Sequence, residues 1–282
     1  HGLHRGVQPL APSFPTRGFG EPTGIDLVGE IGGILPSPAA KLKLNKERWY
    51  PGDLVNAAIG QGMWKVTPLQ LARGTAALAD GGMLRRPHLV AAQRTHFDSP
   101  WEPLPQPAPV RITENPENLR VVQEGMQMTI HGPGGTARAM SVGAPYRMAG
   151  KTGTAQVVNR RAQAVNPKSL PLHQRHRALF VGYAPAENPT IAVAVMVEGG
   201  GYGGSTAAPI ARKIFDAHLL GKMPEGMEVE GDDAVSAPVM VGREIQVGVP
   251  AAVPASGTAA STQAAPASST PQPAVSVPEP RR

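Results

Sequence analysis

Apolar residues in the first 222 positions fall into short periodic runs separated by glycine and proline, which predict helices and strands of ordinary length. The clearest helix covers 68–80. Thr67 can cap it, Pro68 suits its first position, and Gln70 stands three residues after Thr67, as in a capping box. Its predicted buried side is formed by Leu71, Thr75 and Leu78.

Two further helices follow from the same kind of pattern. Asn115 before Pro116 repeats the start signal, and a helix is predicted to about residue 130. Its predicted buried side is formed by Val121, Gly125 and Met128. The last helix covers 209–220 and ends at Gly221. Its predicted inward residues are Ile210, Ile214 and Ala217.

Apolar runs at 179–184 and 191–197 predict two strands. The connection between them is short enough for a hairpin, so we expect the two strands to be antiparallel. A third strand covers 149–158, where small and hydroxyl residues give way to β-branched ones. Shorter extended segments are predicted at 25–28 and 83–90, whereas the stretch from Ser37 to Lys41 and the segment 95–109 are assigned to loops.

Composition divides the chain into three parts. No aromatic residue follows position 222, so residues 223–282 are predicted to be a disordered Ala/Pro/Ser-rich tail. Residues 1–18 lack periodicity and are predicted to be irregular, which leaves 19–222 as the folded part. The absence of cysteine excludes disulfides and a thiolate nucleophile. No apolar run reaches the length of about 18 residues that spans a membrane, so we expect any anchor to lie outside this sequence.

The candidate chemistry centres on the stretch Lys151-Thr152-Gly153-Thr154. A strand with this sequence offers an ammonium, two hydroxyls and a row of backbone N–H groups, which suits an anionic peptide. A phosphate-binding loop is disfavoured because Pro145 replaces the required glycine and a strand, not a helix, follows. The three letters Lys-Thr-Gly alone are also compatible with a strand that has only a structural role.

Other patterns are weaker. Glycines at 199, 201 and 204 match the dinucleotide fingerprint by spacing, but no second strand follows the helix, so nucleotide binding is not expected. His173 and His176 lack a third ligand at useful spacing, so no metal site is expected. The net charge of +6 suits an anionic partner, but no basic helix or aromatic-interleaved strand indicates nucleic acid.

Several motifs taken in order resemble the transpeptidase domain of class B penicillin-binding proteins, and the Gly-Gln-Gly at 60–62 favours the elongation type, the penicillin-binding protein 2 group, over the septal type. The matching segments are spread over about 19–220 and lie at 23–27, 30, 35–37, 52–53, 59–62, 67–72, 81–82, 87–89, 146, 151–156, 183–185 and the terminal helix. The resemblance implies an α/β (α+β) fold, in which helices cover both faces of a five-stranded antiparallel sheet, as in penicillin-binding proteins and β-lactamases. It also implies serine acyl transfer that cross-links peptidoglycan stem peptides.

The same resemblance implies roles for the residues of the central strand. Lys151 would supply positive potential, and the hydroxyls of Thr152 and Thr154 would bind the substrate's terminal carboxylate. The N–H of Thr154 would be one oxyanion-hole donor. Gly153 and Gln156 would complete the substrate-binding strand. β-Lactams would bind at the same place, partners would be membrane proteins of the elongation machinery, and no cofactor or metal is implied.

The sequence departs from the family pattern in one respect. No serine is followed by lysine three residues later, Ser37 has Lys41 four residues on, and no Ser-x-Asn occurs. We therefore expect the C-terminal part of a transpeptidase domain, inactive alone, from an enzyme that works at the periplasmic face of the bacterial inner membrane. A non-catalytic peptidoglycan- or β-lactam-binding sensor module of the same fold stays open as an alternative, as does a β-lactamase.

Overall fold

The structure is a computed structural model that describes residues 18–157 and 170–222. The predictions for 1–17, for Val158 and for the tail at 223–282 lie outside the described residues. The helices are α1 (Pro38–Asn45), α2 (Pro51–Ala58), α3 (Pro68–Ala79), α4 (Pro116–His131) and α5 (Ala207–Leu220). The strands are β1 (Met83–Leu84), β2 (Ala92–Gln93), β3 (Glu102–Pro103), β4 (Val110–Arg111), β5 (Ala149–Ala155), β6 (Arg177–Ala184) and β7 (Ile191–Val197). Two 3₁₀ turns cover Arg138–Ser141 and Leu172–Gln174.

The central sheet has three antiparallel strands in the order β5-β6-β7. Thr152 lies opposite Phe180, and Phe180 lies opposite Val195, so these three residues share one face. The predicted antiparallel pairing of the last two strands is therefore confirmed. Among the described residues no strand pairs with the outer side of β5, so β5 is an edge strand. Two small antiparallel ladders, β1 with β4 and β2 with β3, lie outside this sheet.

Helices pack on both faces of the sheet. On one face, Phe180 and Ala178 of β6 belong to the same buried cluster as Ala211 and Phe215 of α5. On the other face, Tyr183 packs with Met126 of α4 and with the C-terminal turn of α3. Alternate side chains of a strand point to opposite faces, so β6 serves both clusters at once. The predicted fold class is confirmed, although within 18–157 and 170–222 the sheet has three strands and not five.

The predicted buried sides of two helices are wrong. In α4, Val121 and Met128 are 55% and 64% exposed. In α5, Ile210 and Ile214 are 41% and 38% exposed. The residues buried instead are Leu119, Met126 and Ile130 in α4 and Ala207, Ala208, Ala211 and Phe215 in α5. Alanines let the α5 backbone approach the sheet closely, and Phe215 then fills the core, so size and shape decide the orientation more than aliphatic spacing does.

Two differences concern the first fifth of the chain. The strand predicted at 25–28 is wrong, because this segment is a loop in which the Glu30 carboxylate accepts hydrogen bonds from Thr23 and from the N–H of Gly24. The loop assigned from Ser37 to Lys41 is also wrong. Ser37 caps α1, since its Oγ accepts from the N–H of Ala40 at 3.0 Å.

Gln70 joins the start of α3 to this N-terminal loop. The predicted capping box is confirmed, with Gln70 N–H donating to Thr67 Oγ1 at 3.1 Å and Thr67 N–H donating to Gln70 Oε1 at 3.0 Å. In addition, Gln70 Nε2 donates to the carbonyls of Glu21 at 2.7 Å and Gly32 at 2.8 Å. The side chain is fully buried, so all its hydrogen-bonding groups must find protein partners.

Replacing Gln70 by alanine should therefore destabilise the protein. The change leaves the carbonyls of Glu21 and Gly32 without their donor and removes half of the capping box, so we expect the free energy of unfolding to fall by about 3 kcal/mol. Urea denaturation of the full chain measures this, with Gln93→Ala on the exposed strand β2 as the control. Equal stability of the two variants would contradict the assignment.

Candidate active site

A cleft of about 650 Å³ lies beside β5, where three segments distant in sequence meet. One wall is β5 itself, the second is the turn that leads into Arg138–Ser141, and the third is the glycine-rich turn between β7 and α5. The lining residues are Thr136, Ala139, Thr152, Gly153, Thr154, Tyr202, Gly203, Gly204 and Ser205. They include hydroxyls and backbone but no acidic side chain, which suits a negatively charged ligand.

The two threonines of β5 project into this cleft together. They lie two residues apart and pair with Phe180 and Ala178, so they share the face that also carries α5. Thr152 Oγ1 lies 2.7 Å from Thr136 Oγ1, which forms a pair of hydroxyls at the cleft wall. Thr154 lies beside this pair on the same strand and also lines the cleft.

Lys151 starts on the opposite face of β5 and reaches the open edge of the strand. Its register partner is Val181, so its Cβ points away from the face of the threonines. The side chain is exposed, and Nζ donates to the Thr152 carbonyl at 2.9 Å. The ammonium group therefore lies next to the strand that forms the cleft wall, without contributing to the cleft lining itself.

The remaining two predicted site residues lie at the middle and just beyond the end of the strand. Gly153 lines the cleft, and a Cβ on Gly203 would lie 2.6 Å from the Gly153 carbonyl oxygen. Gln156 is exposed and follows the last residue of β5. The structure thus brings Thr152, Gly153 and Thr154 to one cleft and places Lys151 and Gln156 at its margin.

The glycine-rich turn approaches β5 closely because it lacks side chains. A Cβ on Gly203 would lie 2.1 Å from the Leu179 carbonyl oxygen, and a Cβ on Gly204 would lie 2.2 Å from the Thr136 carbonyl oxygen. No larger residue fits at either position without displacing backbone. These glycines, which match part of a dinucleotide fingerprint by letter, therefore have a steric role in forming the cleft.

Sequence reasoning missed the cleft residues that come from outside β5. Thr136 stands in a segment that looks like a flexible connection, and Tyr202 and Ser205 stand in or beside the glycine-rich turn. It also missed Gln61, whose side chain bonds to the backbone of β5 after Thr154. The only local signals for these residues were the Gly-Gln-Gly at 60–62 and the hydroxyl residues Thr136 and Ser205, which directly follow glycines.

Two polar contacts anchor the start of β5. The N–H of Met148 donates to His131 Nε2 at 3.0 Å, which requires an unprotonated imidazole nitrogen. Burial lowers the pKa of His131, and the positive charge of Arg147 lowers it further. Nearby, Tyr146 donates to Asp216 Oδ1 at 2.5 Å, and burial together with this hydrogen bond raises the pKa of Tyr146. Both contacts tie the segment before β5 to a helix.

Neither a metal centre nor a membrane span is found in the described part of the chain. Within 18–157 and 170–222 there is no cluster of three histidine, cysteine or acidic residues that could hold a metal ion. Over the same residues, no helix is both long and apolar enough to cross a bilayer.

The sequence model of one protein family, the penicillin binding protein transpeptidase domain, matches residues 14–216 of the chain. The chain belongs to the penicillin-binding protein transpeptidase family. It is 37% identical over 217 residues to the peptidoglycan D,D-transpeptidase MrdA of Salmonella typhimurium, a match that covers 76% of this chain and 34% of the relative. The MrdA of Acinetobacter baumannii is 39% identical over 205 residues, covering 72% of this chain and 30% of the relative.

Solved structures of penicillin-binding proteins support the same family assignment. The Pseudomonas aeruginosa PBP2, in complex with WCK 5153, matches 80% of this chain and 46% of its own, with a TM-score of 0.64 and 39% identity. The Helicobacter pylori PBP2, in complex with MreC, matches 78% of this chain and 37% of its own, with a TM-score of 0.62 and 29% identity. The resemblance to the penicillin-binding protein 2 group is therefore confirmed. This transpeptidase-family chain spans about a third of the length of the curated relatives it matches.

The close approach of the glycine-rich turn gives a prediction for this transpeptidase-family chain. Gly204→Ala should lower the free energy of unfolding by about 1–3 kcal/mol, because its Cβ would collide with the Thr136 carbonyl. Gly134→Ala is the matched control, since a Cβ there meets nothing within 4 Å. Urea denaturation compares the two, and a Gly204 variant as stable as the control would refute the steric role.

The His131 contact gives a second prediction, about pH. An unfolded histidine has a pKa of about 6.5, and burial lowers the pKa of His131 in the folded chain. As pH falls below that value, the unfolded chain binds a proton that the folded chain excludes, so stability present at neutral pH is lost. His131→Gln removes this titration and should flatten the dependence between about pH 7 and 5. Denaturant midpoints across that range test it, with the exposed His96→Gln keeping the steeper slope of the unaltered chain.

Proposed function

We propose that this chain forms the carboxylate-binding wall of a peptidoglycan D,D-transpeptidase and binds the D-Ala-D-Ala end of a stem peptide, or a β-lactam, in the cleft beside β5. The observation that carries the proposal is the convergence of Thr152, Thr154 and Thr136 on a cleft without acidic lining. Hydroxyl donors of this kind suit a terminal carboxylate.

The chemistry assigns a role to each part of β5. The hydroxyls of Thr152 and Thr154 donate to the ligand carboxylate, and the Lys151 ammonium at the strand edge adds positive potential. The Thr154 N–H donates to the carbonyl oxygen that becomes negatively charged when a serine Oγ attacks. That attack breaks the peptide bond, the terminal D-alanine leaves with a proton, and the amine of a second stem peptide then takes the acyl group.

The covalent steps need a serine that this sequence does not provide, because it contains no Ser-x-x-Lys. We place the serine-bearing segment of the whole enzyme on the Lys151 side of the sheet. On that face Leu179 and Val181 are only half-buried, and Met196 is 44% exposed. An apolar face of this kind is completed by packing against another segment. By itself the chain would bind ligand without being acylated.

The wider setting of the enzyme follows the same proposal. A relative named peptidoglycan D,D-transpeptidase acts on a cell-wall polymer, so we propose that this chain works on the periplasmic side of the inner membrane. The Helicobacter pylori PBP2 was solved with MreC, and we propose a comparable membrane-associated partner of the elongation machinery here. No cofactor or nucleic acid takes part in this function.

A chimera tests the proposed function. Residues 19–222 of this chain replace the matched segment of the Salmonella MrdA, and labelling by a fluorescent penicillin is followed over time. We expect the chimera to be labelled and Lys151→Ala to slow labelling by about 100-fold, since it removes charge from the site where an oxyanion develops. The exposed Lys213→Ala on α5 is the matched control and should label normally.

Two outcomes would overturn the proposed function. One is a chimera that folds but labels as fast with Lys151→Ala as without it. The other is covalent labelling of the unaltered 282-residue chain, which would mean that one of its own serines acts as nucleophile. Reversible binding of penicillin by a chimera that is never acylated would instead favour a non-catalytic binding module.

A further inference from the structure

The side-chain amide of Gln61 makes two hydrogen bonds to the backbone at the end of β5. Its Nε2 donates to the Thr154 carbonyl at 3.1 Å, and its Oε1 accepts from the N–H of Gln156 at 3.4 Å. The two contacts flank Ala155, the last residue of the strand. Gln61, more than ninety positions away in sequence, therefore holds the end of β5 through both the nitrogen and the oxygen of its side-chain amide.

These two backbone groups face the open side of β5. Successive residues of an antiparallel strand direct their N–H and C=O groups alternately to the two sides, so Thr152, Thr154 and Gln156 point outward when Lys151, Gly153 and Ala155 pair with β6. A carbonyl and the N–H two residues later are the groups that one residue of a parallel neighbouring strand would engage through its own N–H and C=O. The Gln61 amide, with its N–H and C=O on the same side, occupies the position of those two groups.

Gln61 is itself held firmly. Its N–H donates to the Asn56 carbonyl at 2.9 Å, at the C-terminal end of α2. Gly60 and Gly62 on either side have positive φ values of 74° and 79°, which few other residues adopt. Trp64 Nε1 donates to the Ala57 carbonyl at 2.9 Å and ties the continuing chain to the same helix end. The backbone that carries the amide is thus fixed to α2.

We propose that Gln61 is a positioning residue that closes the outer edge of β5 after Thr154 and fixes where a bound peptide stops. The outward N–H groups of Thr152 and Thr154 stay open for a ligand in extended conformation, and the Thr152 C=O accepts from the Lys151 ammonium. The next two outward groups, the Thr154 C=O and the Gln156 N–H, are occupied by Gln61. By holding the peptide planes on both sides of Ala155, Gln61 also orients the neighbouring Thr154 N–H. This inference rests on the proposed function and names what sets the ligand's register.

The first readout needs no ligand. Amide hydrogen exchange is measured by NMR on the full chain and on Gln61→Ala. Loss of the acceptor should speed exchange of the Gln156 N–H by about fivefold or more, as expected for a hydrogen bond of ordinary net strength. Gln123→Ala is the matched control, because Gln123 Nε2 also joins two elements by donating to a backbone carbonyl, that of Leu78 at 2.6 Å, away from the cleft. It should leave Gln156 exchange unchanged.

The second readout separates hydrogen bonding from mere packing. A protonated glutamic acid presents an O–H donor beside a carbonyl acceptor and can replace the single N–H donor and the carbonyl that the Gln61 amide uses here, whereas a carboxylate would repel the Thr154 carbonyl. Gln61→Glu should therefore weaken binding of N-acetyl-D-Ala-D-Ala by about fivefold at pH 7 and recover toward the unaltered chain near pH 4, around the ordinary glutamate pKa of about 4.3. Binding is followed by the Thr154 amide shift and expressed relative to the unaltered chain at each pH.

Each outcome is decisive. If the unaltered chain does not bind the dipeptide, the proposed function fails, and with it the ligand register assigned to Gln61, whatever the exchange rates show. If the unaltered chain binds and both Gln61 variants bind equally well at every pH, the positioning role is overturned even where Gln156 exchange is faster. Faster exchange at Gln156, weaker binding and recovery of Gln61→Glu at low pH together support it.

Discussion

The antiparallel pairing of β5 with β6 is the constraint on which the rest of the site depends. Seven residue pairs fix its register and assign every side chain of β5 to a face. Shifting the register by one residue would exchange the faces of the lysine and the threonines. Because no described strand covers the other side of β5, its outward backbone groups are free of a second ladder, although the carbonyls of Thr152 and Thr154 accept from Lys151 and Gln61. A site on an edge strand thus combines a fixed position with open hydrogen-bonding groups.

Features determined by local chemistry could be read from the sequence. Thr67-Pro68 and Asn115-Pro116 marked helix starts at the observed residues, and the run 191–197 matched β7. The equivalent signal at Ser37-Pro38 begins α1, although the glycine-rich surroundings suggested a loop. Helix orientation was harder, because Phe215 and the small residues of α5 find their places only against Phe180 and the sheet. Spacing of isoleucines in one helix carries no information about that partner surface.

The candidate site likewise has one part that the sequence indicates and another part that only the structure reveals. The Lys-Thr-Gly sequence predicts the strand and an anionic ligand, because the ammonium, the hydroxyls and the backbone N–H groups come from consecutive residues. The opposite wall comes from Thr136, and the third wall comes from Gly203 and Gly204, whose contribution is the absence of a side chain. Gln61 reaches Thr154 across more than ninety residues. Contacts of this kind depend on how three turns meet in space, and single-sequence patterns do not encode that meeting.

The proposed function asks one strand to serve binding and chemistry together, and the arrangement of β5 suits both. The threonine hydroxyls lie on the α5 face of β5. The Cβ of Lys151 lies on the other face, and its side chain bends to the strand edge, where Nζ donates to the Thr152 carbonyl. A ligand that lies along the edge therefore meets hydroxyls on one side and an ammonium on the other, with the strand's own N–H groups between them. Oriented backbone dipoles need no reorganisation when negative charge develops, so their fixed direction matters more than the net charge nearby. Anchoring β5 at Met148 by His131 and after Thr154 by Gln61 preserves that direction at both ends.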